Sequence, residues 1–243
     1  MDPSRLKFAR PVAKLKQGRT DWYRIENKAN TAADVYIYDE IGYFGTSAND
    51  FVRDFAALDA DEINIHLNSP GGDVFDGIAI YNAIKQHKAS TTVYVDGLAA
   101  SAASFIAMAG DKVIMARNAE MMIHDAWGMA IGNATDMRSM ADTLDRLSNN
   151  IADIYNQRSP KGLDHWRGQM LAETWYSGTE AVAAGLADEV QGADDSQADT
   201  ENSWDLSIFK NYAGFKNRVV ETPEISVPEF NTDAFQDALK ELF

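Results

Sequence analysis

Strand-like and helix-like stretches alternate along most of this 243-residue chain, and that alternation leaves few folds open. The clearest unit begins where Ile63, Ile65 and Leu67 recur at every second position. It passes through the turn Ser69-Pro70-Gly71-Gly72 and continues as a helical stretch, Val74 to His87, with Val74, Ile78, Tyr81 and Ile84 on one side. An apolar run at Val35 to Ile41 and an amphipathic helix at Phe51 to Leu58, capped by Ser47 with Asp50 at the third helical position, form a similar unit before it. After it come a β-branched strand at Thr91 to Val95, a small-residue helix at Ala99 to Ala109, and short strands at Lys112 to Met115 and Met121 to Ile123. Strands joined by crossover helices predict an α/β fold with a largely parallel sheet.

Beyond this series, Met137, Met140, Leu144, Leu147, Ile151 and Ile154 step by three and four along a long helix between Asn133 and Arg158. So narrow an apolar stripe suits helix-to-helix packing, and we read it as a contact between subunits, with packing on its own domain as the alternative. A helix around His165 to Ala172, the segment Glu173-Thr-Trp-Tyr-Ser177, a short helix from Glu180 to Ala184 stopped by Gly185, and a strand from Leu186 to Val190 complete the core. Three regions follow: an N-terminal arm at 1–32, a folded domain at 33–192, and an acidic linker and extension at 193–243. In the extension Phe235, Leu239 and Phe243 share one face of a possible helix that could dock a neighbour.

The formal net charge of −15 argues against nucleic acid or an anionic membrane as a partner. The charge is uneven, with Arg5, Lys7, Arg10, Lys14, Lys16 and Arg19 making the start basic and Ala193 to Asp205 acidic, which reads most simply as solvated arms. The chain has no cysteine, so disulfides, thiolate metal sites and cysteine nucleophiles are excluded. No stretch approaches the roughly 18 apolar residues of a membrane helix, and no apolar run resembles a secretory signal. The expected location is the compartment of synthesis, a cytoplasm.

Three serines, Ser69, Ser101 and Ser104, stand near strand ends or helix starts. Ser101 lies where the strand at Thr91 to Val95 gives way to Gly97-Leu-Ala-Ala-Ser-Ala-Ala-Ser104, an amide-rich turn of small side chains such as an exposed nucleophile needs. The Ala102 amide, at a helix start, could face an oxygen that turns negative when Ser101 attacks a carbonyl, and Gly72 could supply a second donor. Of the histidines, His66 alternates with Ile65 and Leu67 and so faces away from them, while His87 ends a helix. His124 follows Met121-Met-Ile123, so a strand delivers its imidazole to a sheet edge as a candidate base. Read singly, each segment has a plain structural explanation: a strand-to-helix turn, tight helix packing, a structural histidine.

Together, Asn68-Ser-Pro-Gly-Gly72, Gly97-Leu-Ala-Ala-Ser-Ala102 and Met122-Ile-His124 resemble, in order, three signature segments of the Clp protease proteolytic subunit family. The likeness spans about Val35 to Val190, and Phe75-Asp-Gly-Ile-Ala-Ile-Tyr-Asn82 with Asp96-Gly-Leu-Ala-Ala-Ser101 is similar to phage and prophage members described as head-maturation proteases. The resemblance implies a crotonase-like spiral of βαβ units with the long helix as a protruding handle, and homo-oligomeric rings stacked face to face. It implies Ser101 as nucleophile, His124 as base, and the amides of Gly72 and Ala102 as the oxyanion hole. The family's orienting aspartate corresponds to Glu173, a departure whose extra methylene demands a shifted backbone; Asp125 is a weaker substitute.

The leading expectation is therefore an ATP-independent serine endopeptidase needing no metal or cofactor. It would act on polypeptides such as phage scaffold, capsid or portal proteins, inside a bacterium or an infected host cell. Two rivals stand beside it: an acyl-CoA enzyme of the crotonase type, whose oxyanion hole needs no serine–histidine pair, and a catalytically idle ring-forming assembly protein.

Overall fold

A computed structural model describes residues 22–28, 31–42, 47–191 and 206–212. Its core is one eight-stranded mixed sheet. Strand β1 (Tyr23–Asn27) runs antiparallel to β2 (Ala32–Tyr38), and β3 (Glu62–Ser69) and β4 (Ser90–Ala100) follow in parallel. Regular structure thus starts within the region assigned to the N-terminal arm. The signal is weak because β1 is a half-exposed edge strand whose buried side rests on the adjoining Trp22 and the half-buried Tyr23, stacked or edge-on with Phe51.

The β3 strand shows why the period-two pattern was legible. Ile63, Ile65 and Leu67 are fully buried, whereas Asn64 and His66 point to the other face. Two helices, α1 (Ala48–Ala56) and α2 (Val74–Gln86), contribute Phe51, Phe55, Ile80 and Ile84 to the same core, and Ser47 and Asp50 close the expected capping box on α1.

Halfway along, β4 changes partner. Thr92 to Val95 pair with β5 (Lys112–Met115), whereas Leu98 to Ala100 pair with β6 (Glu120–Ile123). Asn68 and Gly97 mark the change. The Asn68 side chain accepts from Leu98 N–H at 3.1 Å, the β3–β4 register shifts between Leu67 and Ser69, and a Cβ on Gly97 would lie 2.8 Å from Asn68 Oδ1. An asparagine amide has taken the place of a ladder bond, and only a glycine leaves room for it.

The sheet therefore forks. One branch ends in β8 (Glu189–Val190), parallel to β5; the other ends in β7 (Thr174–Ser177), antiparallel to β6. Helix α3 (Ala102–Ala107) leaves the tip of β4, and all six of its residues are buried.

The long helix α4 (Ala134–Arg158) starts from an Asn133 cap with Asp136 closing a second capping box. Its apolar stripe is used unevenly: Leu147, Ile151, Ile154 and Tyr155 are buried, whereas Met137, in the first turns, is 42% exposed. Met140 is buried too, at 4% exposure, so apart from the half-buried Leu144 the stripe packs on its own domain from Met140 onward, which is the alternative reading, and Met137 is its exposed end. Helix α5 (Leu163–Leu171) packs beside it through the buried Trp166, whose indole N–H donates to Ser159 O at 2.9 Å. Helix α6 (Gly178–Ala184) ends, as expected, at Gly185, left-handed at φ 78°. Residues 235–243, with the apolar face of the extension, lie outside the described residues.

Candidate active site

The β4 strand runs straight into Ser101, the residue before α3. Its backbone is held at φ 53°, ψ −121°, a region that a serine occupies only when its surroundings impose it. Two bonds do so: Ser101 N–H donates to Met122 O at 2.9 Å, tying the turn to β6, and Ser101 O accepts from Ser104 N–H at 3.0 Å. The sharp turn leaves the hydroxyl half-exposed at a cleft.

The other two serines are otherwise engaged. Ser104 is fully buried; its hydroxyl donates to Ser101 O at 2.5 Å and lies 2.8 Å from the Tyr155 hydroxyl. The Ser69 hydroxyl donates to Asp39 O at 2.6 Å and accepts from Gly71 N–H at 3.1 Å. Both brace the turns on which the site stands.

His124 follows directly on β6. Its Nε2 is 2.7 Å from Ser101 Oγ, so with the ring proton on Nδ1 the serine hydroxyl donates to Nε2. Because β4 and β6 are parallel neighbours, with Ala100 opposite Met122, both side chains emerge together at one end of the sheet. Burial pushes the His124 pKa down to about 4, since water is largely kept from the imidazolium and no carboxylate compensates.

The turn at Pro70 to Gly72 presses against this elbow. Gly71, at φ 95°, lies so close that a Cβ would be 2.6 Å from Ala100 O and 2.7 Å from Ala102 N. Gly72 bridges to Ile41, through Ile41 N–H to Gly71 O and Asp73 N–H to Ile41 O, which leaves Gly72 N–H outside the bridge. Ala102 N–H, at the first position of α3, is among the donors a helix leaves unpaired at its start.

Between these parts and α4 lies a cleft of about 200 Å³, with Phe75, Phe105, Leu144, Leu147 and Ile151 among its apolar lining.

Glu173 does not meet His124. Its two carboxylate oxygens accept from Lys210 N–H at 2.8 Å and Asn211 N–H at 2.5 Å, and its backbone is left-handed at φ 50°. Asp125 is engaged as well, 2.6 Å from Arg167 Nη1; burial raises its pKa and the guanidinium opposes the rise. Among the described residues, no carboxylate hydrogen-bonds to His124.

In place of an acid, the ring of Phe209 stands edge-on to His124, with centroids 5.5 Å apart, and to Trp175 at 6.0 Å. Sequence reasoning missed this residue by placing 193–243 outside the domain. The signal was available: Leu206, Ile208 and Phe209 interrupt an otherwise polar stretch, and Phe209 is buried.

Among the described residues there is no cluster of histidine, aspartate and glutamate able to hold a metal ion, and no helix is long and apolar enough to cross a membrane.

Comparison with known proteins points one way. The family described as Clp protease matches residues 16–194. The ATP-dependent Clp protease proteolytic subunit of Chlorella vulgaris is 34% identical over 149 residues, which cover 59% of this chain and 74% of the relative. The subunit of Deinococcus radiodurans is 31% identical over 171 residues, 65% of this chain and 84% of the relative. Chloroplastic subunit 4 of Arabidopsis thaliana is 30% identical over 203 residues, 79% of this chain and 69% of the relative.

Proposed function

The chain belongs to the Clp protease family, and from that premise we propose that it is a serine endopeptidase in which Ser101 is the nucleophile and His124 the general base. The hydrogen bond of 2.7 Å between Ser101 Oγ and His124 Nε2, on a strained strand-to-helix turn, carries the reading. At neutral pH the imidazole is uncharged and able to accept the serine proton as Oγ attacks a peptide carbonyl. The carbonyl oxygen, turning negative, receives N–H groups from Ala102 and Gly72. His124 then returns the proton to the leaving amine, and water releases the acyl-enzyme by the same steps in reverse. Glu173 is the candidate orienting acid, but its carboxylate is engaged by Lys210 N–H and Asn211 N–H. It can orient His124 only once those bonds are broken, and with them in place Ser101 and His124 work as a dyad.

The wall made by Phe105, Leu144, Leu147 and Ile151 supports an apolar substrate side chain on that side of the cleft, whereas Glu40, Asp73 and Asp125 line other parts of it. An acyl-CoA reading has no use for the serine–histidine bond, and an idle assembly protein has no use for strain at Ser101. The protein works as a homo-oligomer, in stacked rings as the family resemblance implies, in the cytoplasm of a bacterium or of an infected host cell.

Two finer parts complete the proposal. The relatives are named ATP-dependent; this chain acts without an ATPase on unfolded or exposed segments. Its substrates are phage scaffold, capsid or portal proteins, a choice supported by the likeness of Phe75 to Asn82 and Asp96 to Ser101 to head-maturation enzymes.

Hydrolysis of an unstructured protein and of fluorogenic peptides, without nucleotide, tests the reading. Ser101→Ala should abolish turnover, as removal of a nucleophile does in subtilisin, where the triad is worth roughly a millionfold. Substantial activity remaining in Ser101→Ala defeats the assignment; hydrolysis that appears only with an added ATPase defeats the nucleotide-independent part alone.

A further inference from the structure

The antiparallel ladder of β6 and β7 pairs Glu120 with Ser177, Met121 with Tyr176, Met122 with Trp175 and Ile123 with Thr174. Continued by one step, the same register puts Glu173 opposite His124. Directly opposed residues of an antiparallel pair have Cβ atoms roughly 4.5–5.5 Å apart, well within the reach of a glutamate. The ladder stops short of that step because Glu173 is left-handed, at φ 50°, and its carboxylate is engaged by the backbone N–H groups of Lys210 and Asn211. The segment carrying those donors is anchored beside the imidazole. Asn211 Nδ2 donates to Ala172 O at 2.6 Å, and the buried Phe209 ring stands edge-on to both His124 and Trp175.

The geometry points to a latch in cis: residues 206–211 hold Glu173 away from His124, and their displacement lets Glu173 rejoin the ladder and accept a hydrogen bond from His124 Nδ1. The inference rests on the serine-peptidase reading of Ser101 and His124. It makes Glu173 a positioning residue with two alternative partners, the backbone of the latch and the imidazole.

With the latch seated, Ser101 and His124 form a dyad whose imidazolium has no counter-charge, consistent with the depressed basicity of His124. With the latch released, a carboxylate replaces the Phe209 ring as the neighbour of the imidazole. The other charged groups near the cleft cannot take that part as they stand. Asp125 is paired with Arg167, Asp73 caps α2 through Phe75 N–H and Asp76 N–H, and Lys210 is exposed. Glu40 is buried in the cleft wall on the side of Pro70 to Phe75.

The test is an NMR titration of His124 in the full chain, run beside the rate at which a fluorophosphonate labels Ser101. In the otherwise unchanged chain, Glu173→Gln should leave the His124 pKa where it is, because the carboxylate faces the latch. In a chain carrying Phe209→Ala and Asn211→Pro, the second change removing one donor N–H, the His124 pKa should rise by roughly 1–3 units, as an opposite charge at contact distance produces. Labelling should quicken by roughly tenfold or more, within the ten-thousandfold that an orienting carboxylate is worth in a serine triad. Adding Glu173→Gln to the released chain should cancel the gain in labelling and most of the rise in pKa, leaving only the part that comes from uncovering the imidazole when the Phe209 ring is removed.

A His124 pKa already sensitive to Glu173→Gln in the otherwise unchanged chain overturns the latch, even if the released variant folds poorly. So does a gain on release that Glu173→Gln leaves undiminished. Ser101 unlabelled in every form, with the His124 shifts as expected, removes the peptidase reading and leaves the latch standing.

Discussion

The backbone angle of Ser101 sets the direction of its hydroxyl, and neighbouring residues hold that angle. Gly71 is one of them: a methyl there meets Ala100 O and Ala102 N inside 2.8 Å while its own φ of 95° is unsuited to a side chain. Gly71→Ala should therefore cut peptide hydrolysis severely while the protein stays folded by circular dichroism; wild-type rates would show that the turn has slack. His124 leads to a prediction about pH. Burial lowers its pKa from the ordinary 6.5 to about 4, so the unfolded chain takes up this proton before the native state does. The stability tied to the neutral imidazole is present above 6.5 and is lost as pH falls toward 4. For the same reason the acid limb of kcat/KM should lie closer to 4 than to 6.5. A limb at 6.5 or above would place a carboxylate on Nδ1 in the working enzyme. At this scale Ser101 and His124 were legible only through the joint occurrence, in order, of three segments that each have a structural explanation alone. The conformation of Glu173 was not visible, since it depends on donors 37 and 38 residues further along the chain.

Secondary-structure elements deliver these residues, and their order was largely readable from periodicity. The β3 alternation, the Ser47 box and the Gly185 stop are local signals, and each corresponds to a matching element. Less readable was the length of β4, which continues through Gly97 and Ala100 to Ser101 because Asn68 and β6 supply partners that no local pattern reveals. Small residues that read as the start of a helix are the end of a strand, packed where larger side chains would not fit. The cap of α4 offers an element-scale test. The Asn133 side chain accepts from Thr135 N–H at 2.9 Å and Asp136 N–H at 3.2 Å, so Asn133→Ala should lower stability by about 1 kcal/mol in denaturant unfolding. No loss would mean that assembly, rather than the cap, holds this end of the helix. Leu144 and Leu147 place α4 along the cleft. Leu144→Glu should slow cleavage after apolar residues more than after basic ones, measured as a ratio of kcat/KM values, and an unchanged ratio would remove α4 from substrate selection.

At the scale of the whole molecule, the described residues include an apolar row that is exposed. Trp127, Met129 and Ile131 are 46%, 52% and 81% exposed on the segment leading from the site into α4, and Met137 continues the exposed row. A homo-oligomer that buries this row explains why it stays apolar in a chain of charge −15. Ile131→Glu with Met137→Glu should reduce the assembly to smaller species in native mass spectrometry; intact assemblies would shift the contact elsewhere. Sequence periodicity isolated the stripe on α4 but not that Met140 is covered while Met137 is left exposed, because that depends on the folded domain.

The central claim, an activated serine at position 101, is tested most directly by intact mass spectrometry of the assembled protein after fluorophosphonate treatment, for wild type and Ser101→Ala, each with and without Phe209→Ala. The account expects one probe per chain in both forms that keep Ser101 and none in either form that lacks it. An assembled protein that takes up no probe, or takes it up equally without Ser101, would contradict it.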